Sequence, residues 1–252
     1  MPRTARAKSS SGIYHLMLRG INRQDLFEED EDRRKFVETL GRYKPLSKYE
    51  IYAYCLMSNH VHLLLKENED PIATIIKRIS GSYVLWYNKK YSRCGHLFQE
   101  RFKSEVVETD SYFLTVLRYI HQNPLKAGIT NQVESFRWSS CSEYLGNSKI
   151  IDVEFALDMF SKDREEAKRL FQQFTQEVNS DQCLDNRERI KVSDKELLDY
   201  LEQLGIDNSS ELQRTDKNER DKVISDLKNI PGVSIRQLAR ITGIPKHIIE
   251  KR

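Results

Sequence analysis

The chain has 252 residues, 38% of them hydrophobic and 31% charged, and a net charge of +3. This composition describes a globular protein able to bury a core, as one large domain or a core domain with an appendage. It excludes a membrane span, since no run approaches roughly 18 apolar residues. The opening MPRTARAKSSSG is basic but has no apolar stretch, so it is read as a flexible basic arm over 1–11 and not as a secretory signal. Residues 12–20, GIYHLMLRG, read as a strand ending at a glycine. Asp30 to about Leu46 is charged and helical, with Phe36, Val37, Leu40 and Tyr43 at three- and four-residue spacing. YEIYAYCLM (49–57) and the run from His60 read as two strands joined by a short turn at MSN. Pro71 opens a long helix, SRCGH (92–96) is loop, and FKSEVVET (102–109) alternates like a fourth strand. Asp110 or Ser111 is placed to cap the helix that follows. The order βαββαβ predicts an α+β, ferredoxin-like fold with an antiparallel sheet, helices on one face and the other face open to a ligand.

Beyond residue 145 the pattern is less distinctive. Segments 152–161 and 162–179 are expected to be helical, and 179–194 is polar without periodicity, so 146–194 reads as a helical extension and linker. Residues 195–252 form a small all-helical C-terminal domain. The four cysteines, Cys55, Cys94, Cys141 and Cys183, contain no CxxC pair, which fits a reducing cytoplasm better than a disulfide framework.

The informative stretch is YCLMSNHVHLLLK (54–66). Period two puts His60, His62 and Leu64 on one face and Val61, Leu63 and Leu65 on the other. Two hydrogen-bonded histidines on a half-exposed strand would explain this alone. A second signal lies in SYFLTVLRYIHQNPLKAG (111–128). Tyr119 sits off the centre of the apolar stripe formed by Phe113, Val116, Leu117 and Ile120, and Asn123 follows one turn later on the same face. Pro124 disfavours helical geometry at Asn123, so its amide is expected at the fraying end of the helix. Two imidazoles and an amide oxygen make an open site for Mg²⁺ or Mn²⁺. An ion there can polarise a phosphodiester, which Tyr119 can attack. Tyr119 as a packing tyrosine and Asn123 as a helix cap are the plain alternatives. A zinc site built with Cys94 and His96 is a further one. His121 points to a different helix face and is left out.

Between Lys77 and Lys103 seven basic residues face one acid, Glu100, and are interleaved with Tyr83, Trp86, Tyr87, Tyr91, Phe98 and Phe102. Cations for phosphates and rings for unpaired bases suit a nucleic-acid strand; an amphipathic helix with core aromatics fits equally well. The candidate DNA contacts are Arg19, Asn22 and Arg23 in LRGINRQ, with Lys77, Arg78, Arg93, Arg101 and Lys103. In IRQLARITGIPKHIIEKR (235–252), Leu238, Ala239, Gly243, Ile244 and Ile249 match a helix-turn-helix. Arg236 and Lys246 stand among five basic residues against one acid. A small helical packing unit is the alternative.

NHVHLLL resembles the His-hydrophobic-His motif of HUH single-stranded DNA nucleases. GHLFQERFKS (95–104) and RYIHQNPLKAG (118–128) resemble the IS200-like single-tyrosine transposases, and most of all the REP-associated tyrosine transposases. The resemblance covers about residues 12–145. It implies His60 and His62 as metal ligands, Asn123 as a third, and Tyr119 as the nucleophile that forms a 5′-phosphotyrosine and leaves a free 3′-hydroxyl. The insertion-sequence enzymes carry a glutamine where this chain has Asn123, and they lack the C-terminal appendage. The expectation is a Mg²⁺- or Mn²⁺-dependent enzyme that cleaves and rejoins hairpin-containing single-stranded DNA, with duplex DNA as partner of the C-terminal unit. It acts as monomer or homodimer in the cytoplasm, at the nucleoid. A catalytically idle DNA-binding regulator and a water-using nuclease remain alternatives.

Overall fold

The computed structural model describes residues 6–146, 148–181, 183–184, 194–204, 206, 212, 214–230 and 233–250, and the chain divides into two compact units, Met1–Asp185 and Asn186–Arg252. In the first unit β1 (Ile13–Arg19), α1 (Asp30–Ser47), β2 (Glu50–Leu56), β3 (His60–Lys66), α2 (Ile72–Lys90), β4 (Lys103–Val106) and α3 (Asp110–Lys126) follow the expected order. The four strands form one antiparallel sheet in the order β2-β3-β1-β4. The register pairs Met17 with His62 and Arg19 with His60, and on the other side Met17 with Lys103 and His15 with Glu105. Period two therefore collects His15, Met17, Arg19, His60, His62, Lys103 and Glu105 on one face.

The opposite face receives α1 and α2, which meet through Phe36 and Tyr83 at a centroid separation of 5.1 Å. Two local devices fix these helices. Asp32 accepts the backbone N–H groups of Glu28 and Glu29 at 2.8 and 2.9 Å, closing a capping box on α1. The Tyr83 hydroxyl donates to the Leu26 carbonyl at 2.6 Å. Pro71 is the cap of α2, one residue earlier than the first helical position expected for it.

The histidine face is not open along its whole width. Phe113 of α3 packs edge-on to Tyr52 of β2 at 5.1 Å, so β2 and β3 are covered on both sides and their side chains are buried almost without interruption. The expected cap at Asp110 or Ser111 is instead Thr109, whose hydroxyl accepts the Tyr112 N–H. The expected fraying at Asn123 also gives way: α3 runs through Pro124 to Lys126. Proline removes only its own N–H, and the Ala127 N–H still reaches the Asn123 carbonyl at 3.0 Å.

The helical extension belongs to this unit. The segments α4 (Cys141–Leu145), α5 (Val153–Leu157) and α6 (Arg164–Gln176) complete it, with Phe171 of α6 stacked on Tyr144 of α4 at 4.4 Å. The stretch expected to be a flexible arm is docked from Arg6 onward. Arg6 donates to the Phe102 carbonyl, and Ser10 and Ser11 bind Glu108 and the Val107 carbonyl. The polar segment after α6 is likewise engaged at its start, since the Leu184 N–H donates to Glu105 at 2.9 Å; residues 185–193 lie outside the described residues.

In the second unit, α7 (Asp194–Gln203), α8 (Lys217–Asn229), α9 (Ile235–Thr242) and α10 (Lys246–Glu250) enclose Leu197, Leu201, Ile224, Leu227, Leu238 and Ile249. Ser234 caps α9 by accepting the Gln237 N–H, and Gly243 ends it at φ 68°, a left-handed conformation suited to glycine. Among the described residues no helix is long and apolar enough to cross a membrane.

Candidate active site and DNA-facing groove

Three imidazoles and one phenol meet on the face of β1 and β3 beneath α3. The Tyr119 ring lies 5.7 Å from that of His62 and 5.8 Å from that of His15, and His60 and His62 are 5.1 Å apart, nearly perpendicular. Tyr119 is 5% exposed, and the Lys126 ammonium sits 5.3 Å over its ring. His62 is fully buried. Burial, then the neighbouring His15 and His60, push its pKa well below the ordinary imidazole range, so it is neutral and able to ligate. Its Nδ1 is 3.0 Å from His15 Nε2, whereas its Nε2 is buried without a hydrogen-bond partner. A buried lone pair with no donor near it is unfavourable unless a cation takes it up. His60, half-buried at the strand end, shares a 2.7 Å hydrogen bond between its Nδ1 and Asn59 Oδ1. Asn123 is one turn beyond Tyr119, and its Nδ2 donates to the Tyr119 carbonyl at 3.4 Å, which leaves Oδ1 as the ligand atom it can offer. The residues present therefore fit a divalent ion held by neutral nitrogen and oxygen donors. Among the described residues no three His, Cys, Asp or Glu side chains converge as a metal-binding group. The zinc arrangement with Cys94 and His96, both exposed in the loop after α2, finds no support there.

Helix α3 is held firmly. Arg118 donates to Asp181 and Glu177 at 2.8–3.1 Å, and Gln122 donates to the carbonyls of Thr175 and Glu177. His121 turns away from Tyr119, as its helical position predicts. It contacts Ser140 at 2.9 Å between Tyr144 and Phe171, and burial pushes its pKa down to about 3.

At the edge of the sheet, between α2 and β4, runs a groove of about 450 Å³ lined by Arg6, Arg19, Lys77 and Arg101, with Glu100 as its one acid and Phe98 and Phe102 as its rings. Burial, and after it the nearby Arg101, push the Arg6 pKa down. A second recess joins Arg101 to Lys103, Arg19 and Met17. Asn22 and Arg23 are exposed in the tight turn after β1, with φ of 51° and 63°. Its Gly20 N–H donates to the Asn59 carbonyl at 2.9 Å, next to His60.

The remaining candidates are more engaged within the protein. Arg78 is paired with Asp70 and Ser47, and Arg93 is 3.3 Å from Gln24. Of the interleaved aromatics, Tyr83 and Tyr87 are core residues, so for those two the amphipathic-helix reading holds. In the second unit Arg236 and Lys246 are exposed, the latter 3.2 Å from Glu250.

No single stretch of sequence points to His15, Glu105 or Asn59 as parts of this site. A period-two reading of IYHLMLR puts His15 on the face of Met17 and Arg19, but only the β1–β3 register brings that face onto the His60–His62 side.

A family model described as "Transposase IS200 like" matches residues 8–123. A Haemophilus influenzae protein named as a REP-associated tyrosine transposase is 28% identical over 123 residues, which is 44% of this chain and 67% of that protein. The structure of a REP-associated tyrosine transposase bound to a REP hairpin superposes with a TM-score of 0.50 at 16% identity, covering 61% of this chain and 96% of that one. This last likeness establishes the shared α+β fold.

Proposed function

We propose that this protein, whose residues 8–123 match the IS200-like transposase family, is a metal-dependent single-stranded DNA endonuclease and strand transferase acting on hairpin-containing DNA. The observation that carries the reading is Tyr119 set edge-on to His62, whose buried Nε2 has no protein partner. His60 and His62, with Asn123 as third donor, would hold Mg²⁺ or Mn²⁺, which would supply Lewis-acid polarisation of the scissile phosphate.

The chain's own residues do the rest. Tyr119 Oη attacks phosphorus, the new O–P bond replaces the P–O3′ bond, the phenol gives up its proton and the 3′-oxygen departs as a hydroxyl. One phosphodiester is exchanged for another, so the step is reversible without ATP, and the strand can be rejoined. Packing of α3 over the sheet keeps Tyr119 5% exposed and limits access of a competing water. Arg6, Arg19, Lys77, Arg101 and Lys103 hold the strand's phosphates. The turn at Asn22 and Arg23 meets DNA beside His60, with Arg78 and Arg93 at the periphery. Arg236 and Lys246 of the second unit contact duplex DNA. The protein acts as a monomer or a homodimer.

The test is a denaturing gel of end-labelled hairpin-containing strands with Mn²⁺ or Mg²⁺, wild type beside Tyr119→Phe. A protein–DNA adduct formed only by wild type and only with metal is expected. Cleavage by both proteins without an adduct would replace the tyrosine mechanism with hydrolysis. Binding without cleavage across hairpins of varied sequence would favour the regulator reading.

A further inference from the structure

The two imidazoles assigned to the metal are each held from behind by a partner that sets which nitrogen carries the proton. For His60 the partner is Asn59. Its Nδ2 donates to the Arg23 carbonyl at 3.3 Å, so the amide oxygen faces the imidazole, and an amide oxygen can only accept. His60 therefore carries its proton on Nδ1. For His62 the partner is the fully buried His15, and the arrangement runs one residue further. His15 Nδ1 lies 3.7 Å from Glu105 Oε2. The His15 contact, ahead of the burial that opposes it, holds the Glu105 carboxyl below its usual range, so this oxygen is an acceptor. A neutral His15 with its proton on Nδ1, on the side of the Glu105 carboxylate 3.7 Å away, has its lone pair on Nε2, which then accepts from His62 Nδ1 across 3.0 Å. That leaves the lone pair of His62 on Nε2, the buried atom without a partner. In the opposite tautomer that atom would carry an N–H and could not ligate.

We propose that His15, backed by Glu105, is a positioning residue that fixes His62 in the Nδ1–H tautomer and so presents the Nε2 lone pair to the metal ion. It is not itself a ligand: one nitrogen faces His62 and the other Glu105. The proposal rests on the metal reading above but concerns a different residue and a different property, so the two can fail separately. Glu105 is part of the device because its negative charge favours a proton on the facing His15 Nδ1 and its carboxylate cannot donate; an amide there could turn an N–H toward Nδ1 and favour the reversed His15–His62 hydrogen bond.

Two measurements on the full chain test it. In long-range ¹H–¹⁵N spectra of the metal-free protein, the His62 imidazole is expected with Nδ1 protonated and Nε2 not. His15→Leu, which removes the acceptor, and Glu105→Gln, which permits the reversed row, are expected to shift His62 toward the Nε2–H form. Mn²⁺ binding followed by electron paramagnetic resonance is expected to weaken about 10–100-fold in His15→Leu. His15→Gln, whose side-chain oxygen can still accept from His62, is expected to stay close to wild type. Thermal melting establishes that each variant is folded, and the Gln variant carries the comparison if Leu is not tolerated. A wild-type His62 protonated on Nε2, or equal Mn²⁺ loss in His15→Gln and His15→Leu with both folded, would overturn this inference and leave the metal reading standing. Mn²⁺ binding unchanged by His62→Ala would overturn the metal reading and this inference with it.

Discussion

The groove between α2 and the β4 edge makes a quantitative claim about salt. Lys77, Arg101 and Lys103 are exposed along it, so changing all three to glutamine removes charge without opening the core. Each phosphate neutralised on a single strand contributes a slope of about −0.7 to the dependence of log affinity on log salt. Between 50 and 200 mM salt, a fourfold change, one contact therefore accounts for about 2.6-fold in affinity and three for about 18-fold. The triple variant is expected to bind a labelled hairpin with a single-stranded flank more weakly at 50 mM, and to lose about 18-fold less than wild type over that range. Fluorescence anisotropy titrations at five or so salt concentrations measure both slopes. Parallel slopes, with the variant merely weaker or unchanged, would show that these three cations do not carry phosphates and that the strand runs elsewhere.

Other expectations follow from the same geometry. His60→Ala should abolish metal-dependent cleavage while weakening DNA binding far less, because phosphate contacts supply most of the affinity; equal losses on gel-shift and cleavage assays would contradict its role as ligand. Gly20→Ala puts a Cβ against the Gln24 carbonyl oxygen in the turn beside His60. It should cost about 1–3 kcal/mol and reduce cleavage, read by melting and by the adduct gel. Asp32→Asn tests the base of α1. Burial raises the Asp32 pKa, but the Lys90 ion pair, the Glu29 N–H and the Tyr91 hydroxyl outweigh that and hold it below 3.8. A lowered folded-state pKa adds stability that is present above about pH 4 and lost as pH falls through the folded value. The variant should therefore lose about 1.5–3 kcal/mol at neutral pH and show a flatter acid limb. Urea unfolding followed by tryptophan fluorescence can measure this, since both tryptophans, Trp86 and Trp138, lie in the first unit.

The element order of the sheet domain was legible because its signals are local: period two around His60, apolar spacing at Phe36 and Leu40, a turn at MSN. Helix ends were less so. Thr109 and Asp110 are both good caps by composition, and which one turns out of the helix depends on how α3 meets β4. Pro124 predicts fraying at Asn123, but a proline's effect on its predecessor is a preference, and packing overrides it here. Tyr119 and the histidine pair could be picked out by residue type and spacing, with family resemblance joining them. His15 and Glu105 are separated by ninety positions and reach the same spot only through strand register, which no single stretch encodes. The interleaved aromatics illustrate the reverse: Tyr83 and Trp86 look alike in a list, yet one is core and the other half-exposed, according to the angle each takes around α2.

The ties that clamp α3 to the end of α6 and the segment after it have a consequence for strand exchange. Arg118 and Gln122 bracket Tyr119 by one residue on one side and three on the other, and both are bonded to residues 175–181. The Arg118 bonds to carboxylates contribute about 1.5–3 kcal/mol each and the neutral Gln122 bonds about 0.5–1.5 kcal/mol each, so a swing of the helix carrying a covalently attached strand would have to break several at once. The nucleophile then behaves as a fixed post. In the proposed reaction the moving part is the DNA: the tethered 5′ end stays where it was cut, and an incoming 3′-hydroxyl must be brought to it. The choice between resealing the old junction and making a new one would rest on which strand end arrives first.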